Sequence, residues 1–229
     1  MLRAAMIIDY QNVHLTAADT FDPDGNYHNS LIHPMQFAKR ALVERNSRQR
    51  PDYPHATLVK VTAFRGLPHS DHDWEQSRRC TDQAVQWRKD GAQIELRGLK
   101  YQYRRGADGQ PIKNIFGRKE PIGRPTEKGI DVLCALATVS TALEPDIDVV
   151  ILASRDTDLI PALDRVADMH ALRPSTVAAI ETVSWHNRYA EREGAFNGGS
   201  LRPSGGRRIW NTNLDRACYD ASLDRKDYR

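Results

Sequence analysis

Residues 148–158, DVVILASRDTD, place five apolar residues directly before a segment with two aspartates. A short, β-branched apolar run of this kind is typical of a strand that is buried on both faces of a parallel sheet. Four further runs have the same character, at residues 3–8, 57–64, 92–96 and 175–180. We therefore expect five strands in a mostly parallel sheet.

The segments between these runs have helical periodicity. Apolar residues spaced three and four apart predict helices at residues 35–48, 71–89, 128–143 and 159–169. Trp74 and Trp87 share the second of these helices and are interpreted as core residues. Strands that alternate with helices predict an α/β sandwich. A length of 229 residues, with 40% hydrophobic and 28% charged, suits one compact domain and argues against a disordered or fibrous chain.

Two regions fall outside this alternation. Residues 98–125 contain five glycines and three prolines, which predict a long excursion, with a hairpin turn at 107–109. Residues 197–206, NGGSLRPSGG, predict a flexible linker between a main domain, residues 1–196, and a C-terminal extension, residues 207–229. In the extension we expect an edge strand at 207–210 and a short helix at 214–223.

The excursion carries an uneven share of the charge. Residues 97–128 hold nine basic and three acidic residues, a local balance of +6 in a chain whose net charge is +3. A basic segment on an otherwise mildly acidic protein favours a polyanionic ligand. The alternative is a solvated, mobile loop. The candidate RNA-binding residues in this region are Lys100, Tyr101, Tyr103, Arg104, Arg105, Lys113, Arg118, Lys119 and Lys128, with Phe116 as a further aromatic.

Composition also bears on location and redox state. No run approaches the roughly 18 apolar residues of a membrane helix, and Asp9 comes too early for a signal peptide. We expect a cytoplasmic protein with no membrane partner. Cys80, Cys134 and Cys218 are far apart and form no C-x-x-C pair, so we interpret them as reduced, structural thiols.

Aspartates follow two of the predicted strands. Asp9 ends the first strand, and Asp156 and Asp158 come just after the fourth. The carboxyl ends of parallel strands form the ligand crevice of an open sheet, and Asp131 can point to the same edge from the preceding helix. Carboxylates about 4 Å apart repel by about 4 kcal/mol at an effective dielectric of 20, and a divalent cation reverses that sign. Oxygen-only ligands favour Mg²⁺ or Mn²⁺ over zinc.

The same residues have a second interpretation. Aspartates often follow strands because they cap the next helix, and Asp156 or Thr157 can cap a helix that begins near Leu159. Asn12 and Ser154 either orient a carboxylate or water, or cap and turn the chain.

Three blocks of the chain carry a family resemblance: residues 9–12 (DYQN), 127–132 (EKGIDV) and 151–161 (ILASRDTDLIP). In order and spacing they resemble the signature blocks of NYN domains, PIN-like nucleases that include the bacterial LabA-like proteins, over about residues 3 to 185. The resemblance implies a three-layer α/β/α sandwich with sheet order 3-2-1-4-5 and metal-dependent RNA cleavage. It also implies a catalytic set in which Asp9, Asp131, Asp156 and Asp158 hold the metal, supported by Asn12 and Ser154.

The third block departs from the family at one position. Arg155 stands where the family usually has glycine, which permits a positive φ or a close backbone approach. Either the backbone has changed, or Arg155 reaches a phosphate and joins the RNA-binding set.

Other chemistry lacks support. The chain has no G-x-x-x-x-G-K-[ST], no G-x-G-x-x-G and no G-x-S-x-G motif. The ligand-type residues at 69–73, HSDHD, are close to a capping box ahead of a helix and match no zinc pattern.

Two functions follow from these patterns. The first is a Mg²⁺- or Mn²⁺-dependent ribonuclease that hydrolyses single-stranded RNA by a metal-activated water. The second is a module of the same fold that binds nucleic acid or protein without cleavage. The complete acid set favours the first, and Arg155 favours the second. A receiver-type regulatory domain would need paired acids after the first strand, where Asp9 is followed by Tyr10. A homodimer is compatible with the sequence, which does not define the oligomeric state.

Overall fold

The protein is described here by a computed structural model that covers residues 1–27, 30–190 and 199–228. Its centre is a six-stranded sheet whose neighbouring strands are all parallel. The sheet strands are β1 (Leu2–Asp9), β2 (Ala56–Leu67), β3 (Gln93–Gly98), β6 (Val149–Ala153), β7 (Ala179–Trp185) and β8 (Asn211–Leu214). A separate antiparallel pair consists of β4 (Lys100–Tyr103) and β5 (Pro121–Thr126).

Helices cover both faces of the sheet. They are α1 (Tyr10–Phe21), α2 (Pro34–Ser47), α3 (Trp74–Lys89), α4 (Ile130–Thr141), α5 (Ile160–Leu172) and α6 (Arg216–Ser222). Alternate residues of β1 point to opposite sides, as a pleated strand requires. Met6 and Ile8 pack with α1, α2, α3 and α6, whereas Ala5 and Ile7 pack with α4 and α5. The predicted α/β class with a mostly parallel sheet is confirmed, and the elements stack in three layers.

The sheet order is β3-β2-β1-β6-β7-β8. It differs from the predicted 3-2-1-4-5 because a sixth strand, β8, is added beside the fifth. β1 therefore lies between β2 and β6, where the direction of strand addition reverses. This reversal is the point at which an open parallel sheet forms its crevice.

The fifth strand was predicted at the wrong place. Residues 175–180 were expected to form it, but β7 begins only at Ala179, after turns in which Thr176 and Val177 donate backbone hydrogen bonds to Arg173. The charged Glu181 interrupts the apolar run of β7, so the sequence pattern did not show where this strand lies. Its carboxylate is 3% exposed and accepts from Arg45 of α2 at 2.8 and 2.7 Å, so a bidentate ion pair replaces apolar packing at this position.

The C-terminal extension belongs to the sheet. The edge strand lies at Asn211–Leu214 rather than at 207–210, and it pairs with Thr182–Trp185 of β7. Residues 191–198, which include the predicted boundary at 196 and the start of the predicted linker, lie outside the described residues. Later in that predicted linker, Leu201 is buried and the Ser204 amide donates to Asp164 at 2.8 Å.

Two further predictions differ from the structure. No helix was predicted at α1, since Asn12, Thr16 and Asp19 belong to the types that favour caps and turns over helix interiors. Val13 and Phe21 nevertheless pack this helix against the core. Trp74 was interpreted as a core residue but begins α3 with 63% of its surface exposed, whereas Trp87 is fully buried as expected.

The predicted excursion forms a two-stranded projection that we call the basic finger, residues 100–126. The expected turn at 107–109 is present, with Gly109 at φ +73° and its amide bonded to Gly106. It does not join β4 to β5, as a single hairpin would require. Their connection contains a second turn, residues 114–117, closed by a bridge between Lys113 and Lys119.

The described residues contain no helix that is both long and apolar enough to cross a membrane. All three cysteines are buried free thiols.

Candidate active site at the carboxyl edge of the sheet

Asp9 ends β1 at the sheet edge and is only 6% exposed. Its carboxylate has two partners from two elements. Oδ1 accepts from the Asn12 amide at 3.4 Å, which makes Asp9 the N-cap of α1, and Oδ2 accepts from the Ser154 hydroxyl at 2.9 Å. Because β6 lies next to β1, the residue after its last strand position reaches Asp9 directly. The cap and the candidate acid are thus the same side chain.

Ser154 and Asn12 connect the loop after β6 to the start of α1. The Ser154 hydroxyl accepts from the Asp156 amide at 3.1 Å, and the Asn12 side-chain oxygen accepts from the Arg155 amide at 2.9 Å. Asp156 in turn accepts from the Asp158 amide at 3.0 Å and caps the short 3-10 turn Thr157–Leu159. Asp156 thus caps the 3-10 turn ahead of α5, whereas α5 itself has no side-chain cap. These contacts hold the loop backbone in one place beside Asp9.

The charges of the neighbouring acids act on Asp9. Burial, together with the negative charges of Asp156 and Asp131, raises the pKa of Asp9 to about 6, although the hydrogen bonds from Ser154 and Asn12 lower it. Three of the four predicted acids thus share one electrostatic environment. The site is unfavourable for full ionisation without a compensating positive charge.

Glu127 lies in the second block, but no role was predicted for it from the sequence. Its Oε1 accepts from the Gly66 amide at the end of β2 at 2.7 Å, and burial, with the charge of Asp9, raises its pKa. A Cβ at Gly66 would lie 2.4 Å from Glu127 Oε1, so glycine permits this approach. The position of Glu127 in the second block, four residues before Asp131, was the signal in the sequence that could have identified it.

Asp131 lies in the first turn of α4, where a carboxylate is favoured by the helix dipole. The chain enters this helix through Gly129 at φ +80°, a conformation that other residues rarely adopt. The Arg97 guanidinium donates to the Lys128 carbonyl at 2.8 Å and lies against Gly129. Arg97 and Glu127 together attach this segment to the ends of β3 and β2.

Asp158 is less closely associated with the site. It is exposed on the 3-10 turn, and the acids that raise the pKa of Asp9 are Asp156 and Asp131. Among residues 1–27, 30–190 and 199–228, no three His, Cys, Asp or Glu side chains are grouped so that they could hold a metal ion. The donor set nevertheless fits Mg²⁺ or Mn²⁺ in kind, because it consists of carboxylates whose repulsion a cation would relieve.

Arg155 adopts an ordinary backbone conformation, since no residue other than glycine has a positive φ in the described parts of the chain. Arg155 therefore does not adopt the positive φ that a glycine would permit. Its side chain is half-buried, and burial lowers its pKa against the favourable charge of Asp19 on α1.

The basic finger begins at the same edge of the sheet. β3 ends at Gly98, and the Leu99 amide donates to Leu67 at the end of β2, so β4 leaves the carboxyl edge of the sheet beside β2. The predicted cations of the finger and Lys128 are exposed to solvent. Arg104 is 3.9 Å from Glu120, and Arg118 is 3.8 Å from Asp71, distances at which exposed pairs contribute little.

The two predicted stacking tyrosines already have aromatic partners. His72 lies 4.5 Å from the ring centre of Tyr101 and 5.6 Å from that of Tyr103, and the Tyr101 hydroxyl accepts from the His69 amide at 3.0 Å. Lys119 covers the Tyr103 ring at 5.3 Å. The predicted capping box, with Ser70 as its cap, is wrong, because α3 is capped by Asp73, which accepts from the Gln76 amide. Tyr101 and Tyr103 therefore attach the finger to the loop before α3.

Comparison with known proteins gives little. No family model matches the chain, and no curated protein matches it. A crystal structure of a protein of unknown function from Vibrio parahaemolyticus is similar at 18% sequence identity and a TM-score of 0.40, covering 80% of each chain.

Proposed function

We propose that this protein is a ribonuclease of the NYN type, with a PIN-like fold, that cleaves single-stranded RNA with the help of Mg²⁺ or Mn²⁺. The observation that carries the proposal is the state of Asp9. It is a buried carboxylate at the strand-order reversal, held by Ser154 and Asn12, with a pKa of about 6 that Asp156 and Asp131 help to raise. A purely structural cap has no need of two further acids beside it.

The side chains of the crevice have separate tasks in this proposal. Asp9, Asp131 and Asp156 would hold the cation, and Asp158 is the fourth acid of the proposed set. When bound, a divalent cation supplies positive charge beside the phosphodiester and lowers the pKa of water. Ser154 and Asn12 keep the Asp9 carboxylate in one orientation, because each donates to a different oxygen.

The basic finger is the proposed path of the RNA backbone. Its exposed cations extend outward from the crevice edge, where Lys128 and Lys100 lie on either side of the finger base. Such a row of cations suits a flexible polyanion more than a compact substrate. Arg155 is proposed to contribute through its positive charge beside Asp156.

A second candidate is a non-catalytic binding module of the same fold. The grouping of the acids favours it, since no three of the described side chains are placed to hold a metal ion. This candidate keeps the finger as a binding element and predicts no cleavage.

Incubation with a mixture of single-stranded and structured RNAs, with and without Mn²⁺, tests the proposal when product ends are mapped. We expect cleavage by the wild-type protein only with Mn²⁺, and none by Asp9→Asn. Asp82→Asn, an exposed acid on α3, is the matched control and should cleave normally. Intact RNA in every sample, with RNA still bound, would favour the second candidate.

A further inference from the structure

The outer end of the basic finger exposes two large apolar side chains. Ile115 is 93% exposed and Phe116 is 78% exposed, although aliphatic and aromatic residues of this size are usually buried. Both lie in the turn at 114–117, the second of the two turns that connect β4 to β5. Their exposure is not needed for the turn, which its backbone and Asn114 close.

The turn holds these side chains in a defined place. The Asn114 side-chain oxygen accepts from the Phe116 and Arg118 amides, each at 3.0 Å, and the Asn114 amide donates to the Arg118 carbonyl at 2.8 Å. Gly117 has φ +75°, which completes the reversal. A closed turn of this kind presents Phe116 outward at little cost in conformational entropy upon binding.

Phe116 differs from the other aromatic residues of the finger. Tyr101 and Tyr103 pack on His72 near the finger base, and Lys119 covers the Tyr103 ring. Phe116 is therefore the finger aromatic that presents an open ring face to a ligand. Two exposed cations, Lys113 and Arg118, flank the turn on either side of Phe116 in the sequence.

The distribution of charge identifies the ligand. The finger carries seven basic residues and two acidic ones, and the basic residues occur from Lys100 at its base to Arg118 near its tip. A membrane surface would be met by cations at the tip alone. A continuous row from crevice to tip instead suits a polymer with regularly spaced negative charges.

We propose that Phe116 stacks on an unpaired base of RNA whose backbone runs along the basic finger from the acidic crevice. The inference rests on the proposed function and makes it more specific. The nine residues from Arg118 to Thr126 span at most about 26 Å of strand, which is the length of about eight nucleotides at a stacked rise of about 3.4 Å each. The substrate must then extend several unpaired nucleotides beyond the crevice.

The test is binding of fluorescently labelled oligouridylates to the Asp9→Asn protein, so that cleavage cannot consume the ligand. Phe116→Ala should weaken binding of a 16-nucleotide strand by about 5- to 150-fold, which corresponds to about 1 to 3 kcal/mol per stacked base. A strand of about four nucleotides is too short to occupy both crevice and tip. Its affinity should be the same for Asp9→Asn with and without Phe116→Ala.

Matched variants separate stacking from apolar contact. Phe116→Trp should retain affinity, Phe116→Leu should lose most of it, and Ile115→Ala should change it less than about twofold. Equal binding by Phe116→Ala and its parent would overturn the inference and leave the proposed nuclease standing. Binding to phosphatidylserine vesicles that depends on Phe116, with RNA binding unchanged, would assign the tip to membranes. No binding of any RNA by Asp9→Asn would overturn both proposals.

Discussion

The acidic crevice and the basic finger lie at the same edge of the sheet but differ in how far their charged side chains are buried. The crevice is centred on a buried carboxylate: Asp9 is 6% exposed and receives hydrogen bonds from Ser154 and Asn12. The finger is assembled from exposed residues, with every residue of β5 open to solvent. The apolar residues at the finger tip contact solvent, whereas the crevice residues contact one another.

Because of this difference in burial, the charges of the two regions contribute to the free energy in different ways. In the crevice, the acidic side chains lie near one another and Asp9 is desolvated. Their charge therefore contributes to the free energy of folding, and this contribution changes with pH or cation binding. In the finger, the cations are solvated and nearly independent, so their contribution is realised only when a polyanion displaces counterions. Variants in the two regions should therefore affect different observables.

The largest expected effect is the loss of RNA cleavage upon Asp9→Asn. A residue proposed to hold the cation should cost at least the 10- to 100-fold that outer-shell residues typically do. Single-turnover rates at saturating Mn²⁺ measure the effect. The finger variant Phe116→Ala, assayed beside it with a four-nucleotide substrate, should cleave at the wild-type rate. A similar loss in both variants would remove the distinction between the regions.

Next in size is the stability cost of breaking the buried ion pair that joins α2 to β7. Arg45→Ala leaves the Glu181 carboxylate buried without its partner, so we expect a loss of about 3 to 5 kcal/mol in urea denaturation. Arg45→Met combined with Glu181→Leu should recover much of it. Arg104→Ala in the finger should change stability by at most about 0.5 kcal/mol. A finger variant as costly as Arg45→Ala would contradict the contrast.

The raised pKa of Asp9 gives stability a pH dependence of defined sign. The folded-state pKa of about 6 exceeds the unfolded value of 3.8, so protonation favours the folded state. This contribution is complete below about pH 4 and is lost as the pH rises through 6. Asp9→Asn should stabilise the metal-free protein at pH 7 by about 1 to 3 kcal/mol. Parallel stability curves for both proteins between pH 4 and 8 would contradict the assignment.

The smallest expected effect is on the salt dependence of RNA binding. Arg104→Ala with Arg105→Ala should flatten the slope of log affinity against log salt by about 1.4, if each arginine contacts one phosphate of a single strand. The matched control is Lys39→Ala with Arg40→Ala, which removes the same charge from exposed positions on α2. Equal slopes for the two double variants would mean that these arginines do not contact the RNA backbone.

Sequence patterns predicted the elements that repeat a simple periodicity. β1 and β6 are buried along almost their whole length, and their apolar runs identify them directly. β7 was predicted too early in the chain because Glu181 interrupts its apolar run, and its partner Arg45 is distant in sequence. α1 escaped prediction because polar residues typical of caps occupy much of its length. Contacts between residues that are distant in sequence cannot be predicted from a local pattern.

The candidate site shows the same limit. Strand ends predicted that the Asp9 and Asp156 carboxylates would converge, whereas the observed link is indirect and joins the Asp9 carboxylate through Ser154 to the Asp156 backbone amide. The contact of Glu127 with Gly66 depends on how the finger returns to β2, and no local signal gives that path. The tyrosines were predicted as base-stacking residues, but their packing on His72 depends on the loop before α3.

Binding of Mn²⁺ to the metal-free protein tests the central claim most directly, because it addresses the acidic crevice without RNA. A cation that binds only the folded state stabilises it by about 2.7 kcal/mol at one hundred times its dissociation constant. Thermal unfolding should therefore shift upward with Mn²⁺ for the wild-type protein and for Asp82→Asn, and by much less for Asp9→Asn and Asp156→Asn. The same shift in all four proteins, or none in the wild type at millimolar Mn²⁺, would contradict the assignment of these carboxylates to a metal site.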